Sequence, residues 1–116
     1  MAVRPIRITG SNTITGDLTL QDNNGNSATV IKVDVGDSIQ WIVSPGWGVQ
    51  KITGLPPKSG SPNVFESGDP KPVGASANWK GTIKSGTNRQ VEKYDIKWTD
   101  TAGKTYTYDP RISVNP

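Results

Sequence analysis

"EKYDIKW", Glu92 to Trp98, alternates strictly: Tyr94, Ile96 and Trp98 fall on one side of an extended chain, and Lys93, Asp95 and Lys97 on the other. Successive side chains of a β-strand point to opposite faces, so this pattern specifies a strand with one buried face. The same period of two recurs on either side of it. "KTYTYDP" and "RISV" follow, the first reached through "DTAGK", where Gly103 suits a hairpin turn. Upstream, "ATVIKVDV" aligns Ile31, Val33 and Val35 against Lys32 and Asp34. "GDSIQWIV" aligns Ile39, Trp41 and Val43 after a Gly36-Asp37 turn; "SPGWG" breaks that strand and "VQKIT" resumes it. "RPIRIT" predicts a first strand over Arg4 to Thr9, and "GDLTLQD" a second with Leu18 and Leu20 on one face. The Asn24-Gly25 pair after it suits a type I′ turn, because both residues tolerate positive φ.

No window repeats apolar residues at helical spacing for three turns, and Gly or Pro interrupts nearly every candidate. With "NWKGTIK" added, the chain holds about nine short strands with turn signals between them, which predicts an all-β two-sheet sandwich or small barrel. At 116 residues it forms one domain, residues 1–116. The apolar fraction of 32% is low, offset by four Trp, three Tyr and many β-branched residues. The longest irregular region runs from Gly54 to Ser76, with "NVFES" its one possible strand; such a loop is the natural home of a binding surface.

The composition also bounds the chemistry. With no Cys and no His, the usual nucleophile–base pairs and the commonest general base are missing. A paired-carboxylate site would need two of Glu66, Asp69, Glu92, Asp95, Asp100 and Asp109 to converge; Asp95, Asp100 and Asp109 read instead as solvated or turn-capping. "DNNGN" lacks the ligand spacing of a calcium loop, and Met1 is the only sulfur, so no soft-metal site is expected. The net charge of +3 comes from dispersed basic residues that read as solvated strand faces, with no nucleic-acid motif. No apolar run approaches the ~20 residues of a membrane span. No signal-like start precedes the strands, so the chain reads as cytosolic or as one whose signal has been removed.

Several pieces in order resemble one family. "VDVGDSIQWIV" is similar to the strand-turn-strand of cupredoxins, the plastocyanin-like blue-copper domains. "VQKI" follows where that family has its first copper histidine, placing Gln50 at the histidine position. "VFESGDPKPVGASANWKGTI" looks like a further family segment, and "EKYDIKW" resembles the strand that ends at the copper cysteine, with Trp98 at that position. The resemblance spans roughly residues 30 to 114. It implies a Greek-key sandwich in a secreted or periplasmic protein. The metal is another matter: an amide and an indole do not replace imidazole and thiolate, and the tight hairpin "TDTAGKTY" replaces the family's second ligand loop. Trp98 is expected to fill the space of the copper cage.

The resulting expectation is a metal-free, non-catalytic binding or structural module of the cell envelope or extracellular space, without cofactor. The alternative is a carbohydrate-binding module, since sugars stack on flat exposed aromatic rings. Trp41 and Trp98 fall on apolar faces and read as core, whereas Trp47 in "PGWG" and Trp79 after the long loop are the candidate ligand contacts. The expected partner is a protein or a glycan, with no nucleic acid and no membrane insertion. Pro5, Pro110 and the charged outward faces predict protected strand edges and a monomer.

Overall fold

The computed structural model describes residues 2–44, 46–66, 70–74 and 76–116, and among these no helix occurs. Eleven strands follow in chain order: β1 (Val3–Ser11), β2 (Leu18–Gln21), β3 (Val30–Val33), β4 (Ser38–Ile42), β5 (Val49–Gly54), β6 (Lys71–Pro72), β7 (Trp79–Thr82), β8 (Val91–Lys93), β9 (Ile96–Asp100), β10 (Thr105–Tyr108) and β11 (Arg111–Val114). Five of them form one sheet in the order β2-β1-β4-β7-β6. The others form two three-stranded sheets, β10-β9-β5 and β3-β11-β8. Pairing is antiparallel except between β1 and β4 and between β3 and β11.

The two smaller sheets are halves of one bent layer. Thr105 lies opposite Thr99 and Tyr108 opposite Ile96, while Arg111 lies opposite Lys93 and Ser113 opposite Val91. The register therefore passes unbroken along a single hairpin, with Asp109 and Pro110 falling opposite Asp95 and Tyr94. Pro110 has no N–H to give the ladder, which is why the hairpin kinks there. The stretch Glu92–Trp98, one strand by its alternation, is thus divided between β8 and β9. Its alternation survives the kink: Glu92, Tyr94, Ile96 and Trp98 all have no exposed surface.

The core lies between this layer and the five-stranded sheet. Trp41 of β4 meets Tyr94 at a ring separation of 5.9 Å and Phe65 at 6.0 Å, and its indole N–H donates to the Tyr94 hydroxyl at 3.3 Å. Burial pushes the Tyr94 phenol far up from its ordinary pKa, so it stays a neutral partner. Ile39, Val33, Ile83 and Ile112 are likewise without exposed surface around these rings. Phe65 lies directly on the backbone of Gly81: a Cβ there would come within 2.6 Å of the ring. Glu92, the one fully buried carboxylate among the described residues, accepts the Val64 amide at 2.8 Å and so ties the long irregular segment to β8.

Three local details differ from the sequence reading. Asn24 does not adopt positive φ; only Gly25 does, at 81°. The Gly25 amide donates to Asp22 O at 3.1 Å, and the Asp22 carboxylate accepts the Asn24 and Asn26 amides. Asp22 thereby favours a turn with one left-handed residue over the type I′ form. Second, β4 and β5 belong to different sheets, so the Gly-rich break carries the chain from one layer to the other. Third, β5 contains a bulge: Val49 pairs with Asp100 and Lys51 with Thr99, leaving Gln50 as the extra residue.

Candidate functional site

At one end of the sandwich, two loops are locked together under exposed apolar side chains. The first runs from β1 to β2. The Asn12 side-chain oxygen accepts the amides of Ile14 (2.8 Å) and Thr15 (3.1 Å), while the backbone closes through Asn12 N to Asp17 O and Gly16 N to Asn12 O, both 2.8 Å. A loop held by four short hydrogen bonds keeps a fixed shape. At its tip Ile14 is 93% exposed. The second loop joins β4 to β5 and carries Trp47, 46% exposed, between Gly46 and Gly48, both at positive φ. Ser11 Oγ donates to Trp47 O at 2.6 Å, binding this loop to the end of β1. A Cβ on Gly48 would stand 2.7 Å from that same Ser11 oxygen, so the contact depends on glycine for both its space and its φ.

Trp98 forms the foundation of this end. It is fully buried, stacks on Tyr106 at 4.5 Å with 24° between the planes, and donates its indole N–H to Gly16 O at 3.0 Å. The hydrogen bond clamps the Ile14 loop from beneath. The adjoining hairpin turn is organised by Asp100, whose carboxylate accepts the amides of Ala102 and Lys104, each at 2.9 Å, and the Tyr106 hydroxyl at 3.0 Å. The Lys104 amide, first among these, holds the Asp100 carboxyl below its usual pKa, and burial with the Asp100 contact raises that of Tyr106. Lys104 Nζ completes the group 5.4 Å from the Tyr106 ring centroid.

The residues singled out in the sequence fall in distinct settings. Trp47 is exposed at this end. Trp79 is half-buried and donates its N–H to Ile52 O at 3.2 Å, bracing the five-stranded sheet against β5. Trp98 points inward opposite Ile52, whereas Gln50 is exposed in the bulge, so these two positions do not converge. Among the described residues no cluster of three or more carboxylates is placed to hold a metal ion. The Gly54–Ser76 region borders a shallow depression of about 460 Å³ whose rim includes Lys71 and Lys80; Ser67, Gly68, Asp69 and Ala75 lie outside the described residues.

Two further charged clusters serve the scaffold. Asp37 is buried; it accepts Ala2 N and Asp34 N and pairs with Arg4 at 3.0 Å. Burial pushes its carboxyl up, but the two amides and the guanidinium outweigh this and hold its pKa below the usual value. Lys58 bridges Asp95 and Asp109, which face each other across the kink, and its ammonium lowers the Asp109 carboxyl while its own pKa rises.

Sequence reasoning missed Ile14. It is a lone apolar residue in "GSNTITGD", without periodicity to mark it, and its one signal is an Asn two residues before it that can cap a tight loop. Comparison of the chain with protein-family models and with curated proteins gives no match.

Proposed function

We propose that this chain is a non-catalytic recognition module that docks a partner protein through the loop end bearing Ile14 and Trp47. One observation carries the reading: two large apolar side chains, 93% and 46% exposed, are held out on loops that hydrogen bonds have already ordered. Exposing them costs the free monomer hydration free energy, and fixing their loops in advance removes much of the entropy that binding would otherwise have to overcome. Rigid aromatic and aliphatic anchors of this kind dominate interface energetics.

Catalysis finds less support. Asp100 at this end and Asp95 and Asp109 at the kink are engaged by turn amides, a tyrosine hydroxyl and a lysine, which leaves none of these three in a proton-transfer pair facing a cleft. The cupredoxin-like reading remains part of the proposal. An all-β sandwich with a buried indole at position 98 accords with a member of that fold whose metal seat is filled by Trp98 and Tyr106, in an envelope or extracellular setting. Among the described residues no helix is long and apolar enough to cross a membrane.

A glycan ligand is the second reading, favoured by the exposed Trp47 ring; Trp79 supports it less, with its N–H committed to Ile52. The experiment is a titration of glycans and candidate partner proteins against the chain and its Ile14→Ser/Trp47→Ala variant, with denaturation measured alongside. Saturable binding of a protein, lost in an equally stable variant, supports the docking role. A glycan bound with quenching of Trp47 supports the second reading. Stoichiometric tight uptake of Cu(I) or Cu(II) would overturn the metal-free assignment.

A further inference from the structure

Away from that end, the five-stranded sheet and the kinked layer leave a groove of about 550 Å³ between them, walled by the first half of β1 and by β3. Both walls are open strand edges. β2 pairs with β1 only from Arg7 onward, so the Val3–Ile6 stretch has β4 on one side and, among the described residues, no strand on the other. Among the described residues β3 is paired only with β11. The Arg111 amide donates to Thr29 O and the Asn115 amide to Val33 O, which fixes the phase of that parallel ladder. Val30 and Lys32 consequently turn their N–H and C=O groups away from β11, towards the groove. On the opposite wall the Ser38 amide donates to Ala2 O, so Val3 and Pro5 face the groove, and Pro5 has no N–H to offer. The β3 edge is the better template. The floor is apolar, with Ile6, Ala28 and Ile31 buried, and Val3 and Val30 stand 53% and 47% exposed at the rim.

The charge on the outer face beside the β3 edge is mainly basic, although Asp22 lines the far side of the groove and Asp34 follows β3. Pairing places Val30, Arg111 and Lys93 in one row across the outer face, and Lys32, Ser113 and Val91 in the next. Arg111 and Lys93 are thus directly opposed like charges, an arrangement that weakens a sheet. Neither they nor Lys32 forms a salt bridge among the described residues. The acids nearby have partners: Asp22, in the groove lining, accepts the Asn24 and Asn26 amides, Asp34 is held by Arg4 and Asn115, and Asp95 and Asp109 by Lys58.

We propose that the β3 edge binds an extended acidic polypeptide segment by strand addition. Its backbone would pair with Val30 and Lys32, its alternate apolar side chains would enter the groove over Ile31, and its carboxylates would lie against Lys32 and Arg111. Main-chain pairing supplies affinity in this mode, and the side chains on each face supply selectivity. The surface is distinct from the Ile14–Trp47 end, and the proposal stands or falls apart from it.

The test uses the whole chain, labelled with nitrogen-15, and an acetylated Glu-Val-Glu-Val-Glu-Val amide peptide. Saturable shifts centred on the Val30 and Lys32 amides are expected, weakening as salt is raised. Methylating the two central backbone nitrogens of the peptide removes donors and should weaken binding by roughly tenfold or more. A Lys-Val peptide of the same length should not bind, and Lys32→Glu should weaken the acidic peptide while leaving the fold intact. The proposal is overturned if no saturable shift develops at millimolar peptide. It is equally overturned if the methylated peptide and heparin bind as well as the parent peptide, which would mark simple charge attraction.

Discussion

Replacing Trp98 with phenylalanine separates the two tasks assigned to that residue. The smaller ring can still stack on Tyr106, but the indole N–H that reaches Gly16 O at 3.0 Å is gone. Gly16 is itself buried, so its carbonyl has no ready access to water. Leaving a buried acceptor unsatisfied costs about 1–3 kcal/mol. The lost apolar area of the larger ring adds about 1 kcal/mol. The expected loss for Trp98→Phe is therefore about 2–4 kcal/mol, a large share of the ~5–15 kcal/mol that holds a domain together. In urea denaturation the midpoint should fall by roughly 1–2 M with an unchanged slope. Hydrogen exchange should show the loss locally as well, with the Gly16 amide released faster than the fall in global stability explains. A change under about 0.5 kcal/mol, with exchange in the Asn12–Asp17 loop unaltered, would refute the clamp.

Other consequences follow from the same geometry. Asp37, Asp100 and Asp109 all have carboxyl pKa values lowered in the folded state from the ordinary 3.8. Their stabilisation is complete above about pH 4 and is lost as pH falls further, through the folded values. Urea midpoints should therefore hold between about pH 5 and 8, where this histidine-free chain has no side chain of ordinary pKa, and drop towards pH 2. A rise on acidification would reverse the sign of the argument. Gly81→Ala should cost about 1–3 kcal/mol by urea denaturation, because the new methyl group meets the Phe65 ring at 2.6 Å; a neutral result would show that the ring moves aside freely. Acrylamide should quench Trp47 preferentially, since Trp41 and Trp98 are fully buried and Trp79 half-buried. Trp47→Phe should then remove most of the quenchable emission and shift stability by no more than about 0.5 kcal/mol.

What the sequence disclosed was whatever rests on local alternation. Ile31 and Val33, Ile39 and Trp41, and Tyr94, Ile96 and Trp98 are buried as their period of two requires. Gly103 turns the last hairpin with φ 85°, as "DTAGK" indicates. What stayed hidden depends on which strand lies beside which. The Gln50 bulge puts Val49 and Ile52 inward at a spacing of three, against simple alternation. Pro110, distant in sequence, accepts the Tyr94 amide but returns no N–H to it, so "EKYDIKW" alone gives no sign of the kink. Lys32, Lys93 and Arg111 look dispersed along the chain and become neighbours only because β11 pairs with both β3 and β8. At the loop end, Trp47 was legible from its Gly-rich setting. Ile14 was not, because a single isoleucine between Thr residues carries no pattern.

The central claim is that Ile14 and Trp47 serve recognition and contribute little to folding. Binding and stability of the chain and its Ile14→Ser/Trp47→Ala variant should be measured side by side, against arrayed proteins and glycans and in urea. The account predicts at least one saturable ligand whose affinity falls by roughly a hundredfold or more, as expected when interface hot spots are truncated. It also predicts a variant that stays folded, because Ile14 is almost wholly in solvent and Trp47 nearly half so. Every ligand binding both forms equally, or a variant that unfolds, would contradict it.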